Sequence, residues 1–197
     1  MKVIGLCGGS GSGKGSVAVI LAERGFLHID TDAVYHEITS RPSECTEELR
    51  REFGASVIAA DGSLDRRALA SVVFCDGGEQ RRAALNGITH RYVLSEVRRI
   101  IRENEGRFAA VIVDAPLLYE SGFDSECDSV IAVIAPTEIR IDRIMKRDGV
   151  SREQAQRRIA AQIRDSELTS RADYVINNGE DLASLRVAVE ELAERLL

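Results

Sequence analysis

The sequence predicts an α/β fold: a five-stranded parallel sheet flanked by helices, with a helical insertion and an Arg-rich helical lid. Three observations predict it. A glycine-rich stretch, Gly8 to Ser16, follows a short apolar run, Val3 to Cys7, and precedes an apolar-rich segment, Val17 to Ala22; that order reads as strand, loop, helix. Four more short apolar runs follow, separated by segments of helical period. The block 43–106 is polar and helical in period, with no convincing strand, so it reads as an insertion between two sheet strands.

The stretch Gly8-Gly9-Ser10-Gly11-Ser12-Gly13-Lys14-Gly15-Ser16 is a phosphate-binding loop (P-loop) in the context where that motif has a mechanism. Glycines let backbone N–H groups turn inward to phosphate oxygens, where a side chain would block the approach. The helix starting near Lys14 points its positive dipole end at the same anion, and Lys14 adds a mobile point charge. Gly11, Ser12, Gly13, Lys14, Gly15 and Ser16 are therefore the candidate nucleotide-binding residues. The usual motif places Ser or Thr directly after the Lys as a Mg²⁺ ligand. Here that position is Gly15 and the first hydroxyl is Ser16, so Mg²⁺ is expected on phosphates, water and a carboxylate elsewhere. Adenylate kinases are similar in having Gly-Lys-Gly-Thr. The alternative is a glycine-rich turn with no ligand.

At 197 residues the chain holds one domain, or a core with inserted subdomains. It is 44% hydrophobic and 29% charged with net charge −6, which argues against a general nucleic-acid or membrane-surface binder. No apolar run is long enough to span a bilayer, and the N-terminus reads as a strand, not a signal peptide. Cys7, Cys45, Cys75 and Cys127 are far apart and form no CxxC, the pattern of reduced thiols in a cytoplasmic protein.

The P-loop helix ends near Gly25. Phe26 to Asp30 reads as a buried strand and Ala33 to Ile38 as a helix. Strand carboxyl ends face the ligand in a parallel sheet, which places Asp30 and Asp32 beside the P-loop for metal binding or proton removal; the alternative is a helix cap at Thr31 or Asp32. After Pro42, the insertion is expected to contain helices over Glu47 to Phe53, after the cap Asp65, and over Ile88 to Asn104, with a break at Gly77-Gly78. Phe108 to Asp114 reads as a buried strand whose closing Asp has the place of a Walker B carboxylate, or else caps a turn. Leu117 and Leu118 are expected to pack beneath the substrate domain. Ser129 to Ile134 is the next strand. Thr137 is expected to cap a helix through Arg147, with Arg140, Arg143 and Arg147 on one face. A second helix follows Ser151 and carries Arg157, Arg158, Gln162 and Arg164. Two Arg-rich helices read as a lid that closes over a triphosphate, or as a salt-bridged surface pair. Ala172 to Asn177 is the last strand, Asn178-Gly179 a turn, and Asp181 caps the final helix. The resulting division is a P-loop NTPase core (1–42, 107–136, 165–197), an insertion (43–106) and a lid (137–164).

A P-loop specifies a triphosphate, not a reaction. The glycine of a DxxG turn is missing at Asp114-Ala115-Pro116-Leu117, and no NKxD is present, so a GTP switch is disfavoured. A small core with an insertion and a lid better fits a small-molecule kinase. A nucleoside monophosphate kinase and a non-catalytic nucleotide-binding module are the two rivals.

Gly5 to Gly9 through Lys14, Ile29-Asp30-Thr31-Asp32, Leu64-Asp65-Arg66, Val113 to Glu120, Arg140 through Asp148, Arg158-Ile159 to Gln162 and Ala172 to Gly179 together resemble the dephospho-coenzyme A kinases. They stand in that family's order over nearly the whole chain. The specific segments are Asp-x-Pro-Leu-Leu-aromatic-Glu and Ala-Asp-x-Val-Ile-x-Asn. Two residues depart from the pattern: Gly15 for the usual Ser, and Arg91 after His90 where Pro is common. The resemblance implies transfer of the γ-phosphoryl group of ATP to the ribose 3′-hydroxyl of dephospho-CoA, the last step of coenzyme A synthesis. It implies Asp32 as base, Lys14 and Arg140 as catalytic groups, and Arg140 and Arg147 on ATP. It further implies Asp32, His36, His90 and Leu117 toward dephospho-CoA, and Mg²⁺ on Asp114 and Ser16. A cytoplasmic monomer or weak homo-oligomer, without nucleic-acid or membrane partners, is the expected state.

Overall fold

The computed structural model describes residues 1–74 and 78–197. The chain divides into two compact units, Met1–Asp30 with Asn104–Leu197, and Thr31–Glu103. The first opens with strand β1 (Lys2–Cys7), helix α1 (Lys14–Glu23) and strand β2 (Leu27–Asp30). The second contains helices α2 (Thr31–Thr39), α3 (Glu44–Phe53), α4 (Arg66–Val73) and α5 (Glu79–Glu103). The chain then returns to the first unit with β3 (Ala110–Asp114), β4 (Ser129–Ile134), α6 (Thr137–Asp148), α7 (Arg152–Ala160), α8 (Asp165–Arg171), β5 (Tyr174–Asn177) and α9 (Leu182–Leu196).

The five strands form one parallel sheet in the order β2-β3-β1-β4-β5. Ala-Val-Ile-Val-Asp of β3 is buried throughout, as an inner strand of a sheet covered on both faces requires. Strand periodicity sends Ile4, Leu6, Ile112, Ile131 and Val133 to one face. There they meet Val17, Ala18 and Leu21 of α1 and Leu185, Val189 and Leu196 of α9. On the opposite face Leu118, fully buried, lies against Gly5: a Cβ there would come within 2.7 Å of its Cδ2. Leu118 is therefore part of the core of the first unit, while Leu117 next to it is exposed.

The second unit has its own core, Cys45, Leu49, Val57, Leu64, Leu69, Val73 and Ile88, joined by Tyr35 and Ile38 of α2. Those two side chains carry α2 into this unit, so the division falls after Asp30 and not at residue 42. Asp65 caps α4 by accepting from the N–H groups of Arg67 and Ala68 at 3.0 and 2.9 Å. Helix α5 begins nine residues before the expected Ile88. Its first turns are polar and include Gly87, which costs about 1 kcal/mol relative to alanine, but Leu85 and Ile88 pack into the core and offset it. Gly78 precedes α5 as the break anticipated there; Gly77 and Cys75 lie outside the described residues.

Two helix boundaries differ from expectation in residues 137–164. Thr137 is the first residue of α6 and not its cap; Pro136 precedes it, and no side chain caps the helix. Helix α7, started by a reciprocal Ser151–Gln154 capping box, ends at Ala160. Gln162 and Arg164 thus stand in a connection before the short helix α8, which the sequence did not reveal. No helix among the described residues is long and apolar enough to cross a membrane.

Cys7, Cys45 and Cys127 are free thiols. Burial pushes the Cys7 thiol up to about 11, against the downward pull of Tyr119 and Lys14. Burial, with Asp124, Glu126 and Asp128 nearby, pushes Cys127 up to about 12. Only the thiolate is nucleophilic, so burial, which both raises the thiol and shields it, keeps Cys7 unreactive at pH 8. Iodoacetamide at pH 8 is expected to leave Cys7 and Cys127 unmodified in the native protein and to modify both after unfolding, read by peptide mass. Labelling of Cys7 at the rate of free cysteine would contradict the buried placement.

Candidate nucleotide site

The site grows from the junction of β1 and α1. Gly11 and Gly13 have φ of +79° and +91°, a backbone region open to glycine and costly for other residues. Gly13 has a second reason: a Cβ there would stand 1.9 Å from Asn178 Nδ2. The loop closes on itself through Ser12 N–H to Gly9 O at 3.1 Å, and α1 starts with Ser16 N–H to Gly13 O at 2.9 Å. Its first-turn amides and dipole then face the position where an anion would sit.

Lys14 lies at the start of α1 and its ammonium is ion-paired with Asp114 at the end of β3. Parallel pairing sets this up. Leu6 is opposite Asp114 across β1 and β3, and Asp30 is opposite Asp114 across β2 and β3. His28 extends from β2 to the same carboxylate, with Nε2 3.8 Å from Asp114 Oδ2. Burial pushes the Asp114 carboxyl toward its neutral form; His28 and the Lys14 ammonium outweigh that and hold it below the usual carboxylate value. The result is a buried, charged carboxylate beside the phosphate loop, neutralised by the lysine that the phosphates would claim.

Behind the loop, three side chains take its carbonyls. Arg140 Nε donates to Ser10 O at 2.9 Å. Arg143 Nη1 donates to Gly11 O at 3.3 Å and Ser12 O at 3.4 Å. Asn178 Nδ2 donates to Ser12 O at 2.8 Å. Arg140 is only 3% exposed, and its remaining bonds go to Asp165 Oδ1 at 2.8 Å and Gln162 Oε1 at 3.2 Å.

The first unit therefore brings together Gly11, Ser12, Gly13, Lys14, Asp114 and Arg140. Gly15 and Ser16 are exposed on the first turn of α1, Ser16 about 100° around the helix from position 15. Arg147 lies two turns beyond Arg140 on α6, exposed, and bonds Asp148 through Nε at 2.7 Å; Asp148 also pairs with Arg158. That cluster is a salt-bridged surface. In the second unit, Asp32 is in the first turn of α2 and His36 one turn later, both exposed on one face. His90 is half-buried within α5, and Leu117, in the first unit, is 42% exposed. Asn178, Gln162 and His28 were not among the expected site residues. The Asn178-Gly179 pair reads as a surface turn in sequence, yet Asn178 is 5% exposed. The one signal was the resemblance itself, since Asn178 closes the Ala-Asp-x-Val-Ile-x-Asn segment and Gln162 ends the segment from Arg158; periodicity and turn chemistry do not mark a polar side chain buried by a distant loop.

A parallel sheet, a glycine loop opening into α1, and a lysine facing an acidic strand end define a nucleotide-binding protein of the P-loop class. The dephospho-CoA kinase family model matches residues 2–184. A dephospho-CoA kinase of Symbiobacterium thermophilum is 43% identical over 96% of this chain and 79% of its own. One of Fusobacterium nucleatum is 35% identical over 100% and 99%. The solved structure of a dephospho-CoA kinase from Campylobacter jejuni superposes with a TM-score of 0.70 at 26% identity, covering 100% of this chain and 98% of that one. The chain belongs to the dephospho-CoA kinase family.

Gly13→Ala is expected to strain the loop by about 1–3 kcal/mol and to weaken ATP binding at least ~10-fold. Gly15→Ala, whose Cβ meets nothing within 4 Å, is the control that keeps the fold. Melting and nucleotide titration check both; equal behaviour of the two variants would remove the argument from Asn178.

Proposed function

We propose that the chain transfers the γ-phosphoryl group of ATP to the ribose 3′-hydroxyl of dephospho-CoA, giving CoA and ADP, as the last step of coenzyme A synthesis. Membership of the dephospho-CoA kinase family over residues 2–184 carries this reading. The Lys14–Asp114 pair at the phosphate loop supports it in chemistry.

Loop amides and the start of α1 receive the phosphate oxygens, and Lys14 leaves Asp114 for the outer phosphates as they arrive. The γ-phosphorus gains a bond to O3′ as its bond to the β–γ bridging oxygen breaks, and ADP departs with that electron pair. Asp32 takes the proton of the 3′-hydroxyl. It stands two residues past Asp30, the strand end opposite Asp114. Positioning and charge neutralisation supply most of the acceleration in such a transfer. His36, one helical turn from Asp32, with His90 and Leu117, is the proposed contact set for dephospho-CoA. Arg147 is the lid arginine proposed to reach ATP.

Mg²⁺ keeps most of its water and is held by one or two carboxylates plus phosphates. No group of three or more His, Cys, Asp and Glu among the described residues is placed to hold a metal. One buried carboxylate held in its charged form, Asp114, fits that mode. Asp114 would hold the ion, with Ser16, the only hydroxyl of α1, reached through water. Bound there, Mg²⁺ neutralises charge on the phosphates.

An ADP-release assay with Mg-ATP tests the acceptor: dephospho-CoA should gain one phosphate by mass, while AMP, CMP, UMP and dTMP should not. Transfer to a nucleoside monophosphate alone would overturn the substrate assignment. Asp32→Asn is expected to lower kcat by roughly 10²–10⁴-fold with the ATP Kd nearly unchanged; equal loss of both would count against a base. Gly15→Ser fits the open space at that position and restores the usual hydroxyl ligand. It is expected to lower the Mg²⁺ concentration for half-maximal rate several-fold, read by metal titration at fixed ATP.

A further inference from the structure

Ser10 is held at every polar atom by two side chains distant in sequence. Its N–H donates to Gln162 Oε1 at 2.9 Å, its Oγ accepts from Gln162 Nε2 at 3.2 Å, and its carbonyl accepts from Arg140 Nε at 2.9 Å. The two grips are joined to each other, since Arg140 Nη2 donates to Gln162 Oε1 at 3.2 Å. They are anchored at Asp165, the first residue of α8, by Arg140 Nη1 at 2.8 Å. Packing is tight enough to exclude a side chain on the loop: a Cβ on Gly9 would fall 2.2 Å from Arg140 Nη2 and 3.1 Å from Gln162 Oε1.

All peptide bonds in the described chain are trans. In a planar trans peptide, C=O of one residue and N–H of the next point in opposite directions. Drawing the Ser10 carbonyl onto Arg140 therefore turns the Gly11 N–H to the other side of the loop. Asn178 does the same for the Gly13 N–H through Ser12 O, whereas the Ser12 N–H is spent on Gly9 O within the loop. Gln162 lies two residues past the end of α7, so the lid helix is attached to the residue that grips the loop.

We infer that Arg140 and Gln162 are positioning residues of the phosphate loop: they preset its amides for the triphosphate and tie the loop to the base of helix α7, so that Arg140 acts through Ser10 and not on the transferred phosphoryl group. This rests on the kinase reading for its kinetic consequences but not for its binding ones.

The decisive variant is Gln162→Ala, because it removes the grip without removing charge. Its affinity for inorganic tripolyphosphate and for ATP, measured by calorimetry without acceptor, should fall together by about 10-fold. In the coupled assay the loss should appear mainly in KM for ATP, with KM for dephospho-CoA unmoved. Arg140→Met should do likewise, and Arg140→Lys should recover part of the loss by offering one donor to Ser10 O. The double variant Arg140→Met/Gln162→Ala should lose far less than the product of the two, since both act on Ser10. Three results would overturn the proposal: unchanged tripolyphosphate affinity in Gln162→Ala, multiplicative losses in the double variant, or a large kcat loss in Arg140→Met with tripolyphosphate affinity intact. If Arg140→Met does not fold, Gln162→Ala decides alone, because Gln162 is part-exposed between two helices. Wild-type protein that binds tripolyphosphate but phosphorylates no dephospho-CoA would sink the reaction assigned above and leave this test standing.

Discussion

A loop whose amides receive phosphate must turn its carbonyls the other way, and those carbonyls still need donors. Buried backbone acceptors left unpaired are costly. In this protein the donors come from far along the chain. Arg140 and Arg143 of α6 and Asn178 after β5 take the carbonyls of Ser10, Gly11 and Ser12. Placing them there demands that α6 follow β4 and that β5 close the sheet beside it, since Asn178 N–H is itself fixed to Ile134 O at the end of β4. The phosphate loop is thus held from behind by the second half of the sheet.

A second constraint is electrostatic. Asp114 is 6% exposed and Lys14 half-buried, and neither charge is tolerable alone in that place. Each satisfies the other, and His28 stands at the same carboxylate from β2. The pair gives the loop a lysine that is already charged, oriented and near a carboxylate that it can exchange for phosphate.

The arginines separate into two kinds that sequence alone treats alike. Arg140, Arg143 and Arg147 share a helix face by spacing, yet Arg140 is buried on the loop while Arg147 is exposed and paired with Asp148. The difference comes from what each turn of α6 packs against. Arg140 points to the loop at Ser10 O and to Asp165 of α8; Ile141 and Ile144 pack on Ala155 of α7, and Arg147, beyond them, stays at the exposed edge with Asp148.

Much of the fold was legible in the chain itself. Five short apolar runs, a glycine loop and helix-capping residues such as Asp65, Ser151 and Asp181 are local signals, and local backbone and burial preferences determined the strands, most of the helices and the loop's chemistry. The start of α5 was not legible, because its first turns are helical only through packing of Leu85 and Ile88 on a core assembled from other segments. Nor was the place of α2, assigned by Tyr35 and Ile38. The tertiary structure alone decided which polar groups meet: Lys14 with Asp114 across 100 residues, Ser10 with Gln162 across 152, Ser12 with Asn178 across 166. Periodicity tells which way a side chain faces along its own element; only the assembled sheet sets what stands opposite it.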